Sequence, residues 1–283
     1  MRARVPASTS NLGPGFDVLG LALSLHVEVE VRPARRFLLH SEGEGAELPT
    51  DEGHLAARVA CAVAGSGHLE ILVRSQIPVG RGLGSSAALA LAAAAAAGAD
   101  DPLAVAAAYD GHAENAAASR FGGLVAATLV EGVPLVRPLP LDAGLSFVVV
   151  VPDRQLETKA ARALLPETVP FGDATFNLGR LGLLLAGLAD RDALVPEAGE
   201  DRLHQEARSA LYPEAPELLA ALRAGGATVA TWSGAGPSLL GICVEAHAAA
   251  AAREAGEAAL QRCGLAGRAV VLAPDLAGLV LSD

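Results

Sequence analysis

The chain has 283 residues, enough for two lobes with cores of their own. Hydrophobic residues make up 52% of it, but much of that share is alanine, and no uncharged apolar run reaches the roughly 18 to 20 residues that a membrane span requires. A formal net charge of −11, with no cluster of Lys or Arg interleaved with aromatics, argues against a nucleic-acid partner.

The opening residues Met1 to Pro6 put no apolar segment behind their charges, so neither a signal nor a transit peptide is read and a cytoplasmic location is expected. Positions 26 to 31, His-Val-Glu-Val-Glu-Val, alternate with period two and predict a half-buried strand at a sheet edge, ended by Arg32 and Pro33. Residues 54 to 64 are alanine-rich at helical spacing, 69 to 73 are strand-like, and a glycine loop then runs into a helix opening at Ser85-Ser86. Residues 103 to 118 predict one further helix, and the apolar run 145 to 151 a buried strand. Beyond a boundary near Pro152, longer helices alternate with Pro and Gly clusters. Two strands follow at 227 to 231 and 239 to 244, then a helix at 246 to 262 that Gly264 stops. Strands and helices mix without a regular βαβ rhythm, which predicts an α+β chain. Cys61, Cys243 and Cys263 are widely spaced, with no C-x-x-C pair, and read as small buried hydrophobes.

Three polar, glycine-punctuated stretches stand out. In Gly80-Arg81-Gly82-Leu83-Gly84-Ser85-Ser86-Ala87, glycines at alternate positions precede two hydroxyls and an uncharged helix. Such a loop offers several backbone N–H groups to one anion, and the helix N-terminus adds about half a positive charge. Ser85 or Ser86 is placed to cap the helix, and one of the two hydroxyls could instead bind Mg2+. A ligand-free glycine turn accounts for the same residues. No Gly-Lys-Ser/Thr, G-x-G-x-x-G or G-x-S-x-G pattern is present, so neither a Walker loop, nor a dinucleotide fold, nor a hydrolase elbow is indicated. The other stretches are 5 to 20, which includes Ser10-Asn11-Leu12-Gly13-Pro14-Gly15-Phe16-Asp17, and Ser233-Gly234-Ala235-Gly236-Pro237-Ser238.

These three stretches, in this order and across the whole chain, resemble the motifs of the GHMP kinases, the family of galactokinase, homoserine kinase, mevalonate kinase and phosphomevalonate kinase. The string at 10 to 17 is similar to the homoserine kinase branch. Gly111-His112-Ala113-Glu114-Asn115 is similar to that branch's Gly-His-x-Asp-Asn, and Thr158-Lys159-Ala160-Ala161-Arg162 to its Thr-Lys-x-Ala-Arg. Arg208 stands at a matching place in the last shared helix.

The resemblance implies a two-lobed fold: 1–151 with the phosphate loop, and 152–283 with a ferredoxin-like arrangement. It implies ATP, Mg2+ and L-homoserine, transfer of the γ-phosphate to the substrate's side-chain hydroxyl in threonine biosynthesis, and a homodimer. ATP falls to Pro78, Val79, the loop from Gly80 to Ala87, His54, Ser233, Gly234 and Gly236. Asp17 faces the ammonium, and Arg162 and Arg208 clamp the carboxylate with arginine's paired donors. Asn11, His112 and Asn115 orient the hydroxyl end, and Thr158 is a further substrate-binding residue. Asn115, Ser86 and Asp110 serve the transfer itself, and Ser86, Asp110 and Glu114 the metal. The chain departs from the family pattern at Asp110, where glutamate is usual, at Glu114, where aspartate is usual, at Ala118, where proline is common, and at His54, where asparagine is common. Two alternatives remain open: a GHMP kinase for another small alcohol, and a GHMP-fold protein that binds ligand without turnover.

Overall fold

The computed structural model describes residues 1–282. In chain order the first lobe contains β1 (Arg2–Asn11), β2 (Gly15–Pro33), β3 (Leu38–Gly43), α1 (Leu55–Ala64), β4 (Leu69–Ser75), α2 (Ser85–Ala96), α3 (Pro102–Asp110), α4 (Glu114–Phe121), β5 (Leu124–Val130) and β6 (Val133–Leu139). Then come β7 (Ser146–Pro152), α5 (Thr158–Ala163), α6 (Phe171–Ala189), 3-10 turns at Arg191–Ala193 and Pro196–Gly199, α7 (Gln205–Arg208), α8 (Ala215–Ala224), β8 (Val229–Trp232), β9 (Leu239–Cys243), α9 (Ala246–Arg262), β10 (Gly267–Leu272) and β11 (Val280–Ser282).

The first sheet runs β11-β1-β2-β4-β3, with the β5–β6 hairpin attached to β2. β2 pairs with β1, with β5 at Leu19–Leu21 and with β4 at Val27–Pro33. It is therefore interior, not the edge expected. Val27, Val29 and Val31 are buried and Glu28 and Glu30 half-buried, and any strand with one covered face alternates so, whatever its place in the sheet.

The helix expected over 103 to 118 is two helices. Gly111, at φ +77°, ends α3 in the left-handed conformation that glycine adopts without strain, and α4 starts three residues on. With alanines repeated through both segments, no hydrophobic stripe marked the break. α2 is apolar all round because it is buried on nearly every side, under β1, β2 and its neighbouring helices, where its alanines allow close packing around the buried Leu91.

The second sheet, β10-β7-β9-β8, is antiparallel throughout and built in the chain order strand, helices, strand, strand, helix, strand, a ferredoxin-like arrangement. β7 is covered on both faces. Phe147, Val149 and Val151 join the core of the first lobe, whereas Val148 and Val150 pack with Leu218 and Leu222 of α8 and Ala252 and Ala259 of α9. That double burial explains its unbroken apolar run. The division drawn at 151/152 thus falls at the end of a strand of the second sheet, and β11 returns to the first. No described helix is long and apolar enough to cross a membrane.

Candidate active site

Gly80, Gly82 and Gly84 adopt φ of +68°, +72° and +64°, and Gly84, not a serine, is the N-cap of α2. No side chain caps this helix, so Ser85 and Ser86 turn toward the cavities instead. Pro78, Leu83 and Ala87 are buried and anchor the loop, while Val79 faces an apolar cavity. A Cβ on Gly82 would fall 2.3 Å from the Ser233 carbonyl oxygen, and one on Gly84 2.1 Å from Ser8 Oγ. Both glycines are thus required by close approach as well as by φ.

Those approaches occur because the three motifs are bonded together. Ser233 Oγ donates to the Gly82 carbonyl at 2.7 Å and lies 2.8 Å from Thr9 Oγ1. The Gly234 N–H donates to Ser10 O at 3.0 Å, and the Ser8 N–H to Leu83 O at 3.2 Å. Gly236 passes so close to the Trp232 ring that a Cβ would come within 2.6 Å of it. Arg81 turns away from the loop to pair with Asp153.

Two cavities meet at this loop, both lined by Ser85 and Ser86. One, of about 400 Å3, is walled by Val27, Leu48, Leu55, Val73, Val79 and Leu89 and has His54 at its edge. His54 Nδ1 accepts the Ala56 N–H at 3.3 Å as the N-cap of α1, and burial lowers its pKa. The other, of about 470 Å3, brings together Asn11, Asp17, Asp110, His112, Glu114, Asn115, Thr158, Arg162, Arg208 and Gly234. All the expected substrate and metal residues therefore reach one space. Tyr109, Leu156 and Lys159, the chain's only lysine, line it too.

The charged groups are arranged unequally. Arg162 sends both terminal nitrogens to Asp17, at 2.8 and 2.7 Å, so the anion and cation expected to take opposite ends of the substrate are joined to each other here. Asp17 is held in the left-handed region at φ +54°, with its N–H on Asn11 Oδ1 at 3.0 Å. Arg208 is buried, 2% exposed, and no carboxylate among the described residues pairs with it within 4 Å. Its Nη1 donates to His204 Nδ1 at 3.0 Å and to Gly234 O at 2.9 Å, and its buried Nε has no partner. Burial lowers its pKa to about 10. Both guanidiniums lie over the Phe16 ring, a floor that the motif string contained without revealing.

The amides of Asn11 and Asn115 act as braces. Asn11 Nδ2 donates to Gly234 O at 2.8 Å. Asn115 Oδ1 accepts from Ser8 Oγ at 3.0 Å, and its Nδ2 donates to Ser10 Oγ at 3.0 Å and toward Glu114 Oε1 at 3.3 Å. Each amide is thus engaged inside the protein, where a hydroxyl-orienting role had been expected. Ser8 and Ser10, missed in the sequence, are the strand residues that hold the Asn115 amide, and Thr9 between them meets Ser233 Oγ.

Asp110, His112 and Glu114 form the acidic wall. Burial pushes Asp110 up to about 6, with His112 opposing and Glu114 adding to the rise. His112 Nδ1 lies 2.9 Å from Glu114 Oε1, and this contact is the main reason its pKa is raised, against burial. Glu114 Oε2 is buried without a hydrogen-bond partner. Among the described residues no three His, Cys, Asp or Glu side chains converge on one point. Mg2+ does not need them: one or two carboxylates suffice when nucleotide phosphates and water complete its octahedron. The unpartnered Glu114 oxygen, Asp110 and the Ser86 hydroxyl fit that ion.

Residues 54–131 match the family model described as GHMP kinases N terminal domain, and residues 177–261 match GHMP kinases C terminal. A homoserine kinase of Streptomyces avermitilis is 43% identical over 294 residues, covering 97% of this chain and 96% of its own. The crystal structure of homoserine kinase from Cytophaga hutchinsonii superimposes with a TM-score of 0.86 at 26% identity, covering 99% of this chain and 96% of that one. L. major mevalonate kinase shares the fold, with a TM-score of 0.69 at 14% identity over 95% of each chain. With the phosphate loop, the stitched motifs and this extent of likeness together, the chain belongs to the GHMP kinase family, in its homoserine kinase branch.

Proposed function

We propose that the protein is an ATP-dependent homoserine kinase that transfers the γ-phosphate to the side-chain hydroxyl of L-homoserine, giving O-phospho-L-homoserine for threonine biosynthesis. The observation that carries this reading is Arg208, a buried guanidinium with no carboxylate partner among the described residues, opening with Asp17 and Arg162 onto the same cavity as the glycine loop. A buried cation that no carboxylate touches is costly even with Asp17 and Asp201 acting on it from a distance, and a substrate carboxylate would relieve that cost. Mevalonate or a sugar would have no ammonium for Asp17.

In this reading the adenine occupies the apolar cavity beside His54, and the phosphates lie on the loop from Gly80 to Ser86 at the N-terminus of α2, under Ser233 and Gly234. The zwitterion inserts at the Asp17–Arg162 pair, its ammonium on Asp17 and its carboxylate on Arg162 and Arg208. Phosphoryl transfer needs chiefly positioning and charge stabilisation, because its transition state is loose. Asn11 and Asn115 serve by holding the three motifs in register, and Thr158 and His112 border the hydroxyl. Asp110, Glu114 and Ser86 would hold Mg2+, which supplies charge neutralisation of the phosphate oxygens when bound. The same reading carries a cytoplasmic location and a homodimer, the latter checked by light scattering.

The test is ADP release with Mg2+ and ATP, comparing L-homoserine with L-threonine, L-serine, mevalonate and galactose. Stimulation by L-homoserine well above the others is expected. Equal stimulation by mevalonate, or nucleotide binding with no turnover on any of them, would overturn the reading.

A further inference from the structure

We propose that His204 is a positioning residue for the substrate clamp, holding the Arg208 guanidinium in place through its Nδ1 lone pair. This rests on the reading of Arg208 given above and goes beyond it. His204 lies outside every motif that marks the family in this chain, yet it is 1% exposed and bonded at both ring nitrogens.

Its protonation state follows from its partners. Nε2 is 2.9 Å from the Gly13 carbonyl oxygen, which can only accept, so Nε2 carries the proton. Nδ1 is 3.0 Å from Arg208 Nη1, which can only donate, so Nδ1 is the bare acceptor. The two contacts together admit only the neutral Nε2–H tautomer. Burial is the main reason that the His204 pKa falls to about 4, with Asp201 opposing and Arg208 assisting. The ring is fixed further by Phe16, stacked on it at 4.9 Å, and the backbone that carries it by Asp201, whose Oδ2 accepts the His204 backbone N–H at 2.9 Å. His204 is the N-cap of α7 and Arg208 its last residue, whose backbone N–H donates to the His204 carbonyl at 3.2 Å, so the turn brings the two side chains together.

A single imidazole therefore ties the turn after β1, through Gly13, to the cation that opens onto the cavity. Arg208 has only one other hydrogen-bond partner among the described residues, Gly234 O, through the same Nη1. Without the imidazole acceptor, the guanidinium would keep one carbonyl bond and its place over Phe16 and would lose the second acceptor that fixes its orientation.

The two bonds are separable by chemistry. An asparagine at 204 puts an acceptor oxygen where Nδ1 stands, and a glutamine puts an N–H donor near Nε2. His204→Asn is expected to keep KM for L-homoserine within about threefold of the parent protein. His204→Gln is expected to raise it about tenfold, the loss of one hydrogen bond to a charged group, with KM for ATP and kcat changed much less. In an Arg208→Ala background the difference between Asn and Gln is expected to vanish. Rescue by Gln and not by Asn would assign His204 to the Gly13 turn and overturn the proposal, as would equal effects of the two, or a difference that persists without Arg208. Should Arg208→Ala itself leave KM for L-homoserine unchanged, the carboxylate site has been misread and the proposal falls with it; this outcome is distinguishable because His204 variants alone do not produce it. His204→Leu, which lacks both bonds, should resemble Gln; if it does not fold, the Asn and Gln pair still decides.

Discussion

Arg208 is buried and Asp110 half-buried, each in a state that serves a ligand better than it serves the fold. Removing one partner of a buried ion pair usually costs about 3–5 kcal/mol because it strands the other charge. No described carboxylate pairs with Arg208, so Arg208→Met strands nothing charged. Its unfolding free energy in urea should stay within about 1 kcal/mol of the parent, or rise, while activity on L-homoserine is lost. A drop of several kcal/mol would show that the guanidinium is a structural tie. Asp110 has the opposite charge and the same logic. Its pKa is raised from the ordinary 3.8 to about 6, so the folded state holds the proton more tightly than the unfolded chain, and stability falls as pH climbs through that window. The ionised form then carries a cost on the order of 3 kcal/mol near pH 7. Asp110→Asn, without metal, should therefore be more stable than the parent at pH 7, and the gap should close toward pH 4. A gap that does not change with pH would count against a strained carboxyl.

At the level of elements, the loop from Gly80 to Gly84 has two kinds of glycine. Gly80 needs a positive φ, but a Cβ there meets only Gln155, at an ordinary 3.5 Å. Gly82 needs the same φ and also presses on the carbonyls of Ser233 and Gly236. Gly80→Ala should fold, with a strain of about 1 kcal/mol and weaker ATP binding by isothermal titration. Gly82→Val should lose stability and nucleotide binding together, because it pushes the 233–238 loop off the phosphate loop. A stable Gly82→Val protein with normal ATP affinity would contradict the packing described. The glycine pattern was legible in the sequence because φ preference is local. Which glycine also bears the second lobe was not, since Ser233 lies 151 residues away.

Across the whole molecule, the two sheets share a core through β7, and the cavity takes walls from β1, α4 and α5. Thermal unfolding should then show one transition, and saturating nucleotide with L-homoserine should raise it as a unit. Ligand at a hundred times its Kd adds about 2.7 kcal/mol. Two separate transitions, only one of them moved by ligand, would show lobes that unfold independently.

The sequence by itself determined the motifs, their order, the α+β class and the family. Each depends on short-range chemistry: glycine φ, a cap, a period of two or 3.6, or a string of residues. It left β2 at an edge, ran α3 into α4, gave the cap of α2 to a serine and set β7 apart from its sheet. In each case a half-covered strand, an alanine-rich stretch or a hydroxyl beside a helix start looks the same locally in either arrangement. Only the tertiary structure decided that Asp17 and Arg162 pair with each other, that the Asn11 and Asn115 amides are bonded inside the protein, and that His204 and Phe16 lie against Arg208. Those facts depend on partners far along the chain, and a buried charge or a lone imidazole acquires its role from the groups that surround it when the core closes.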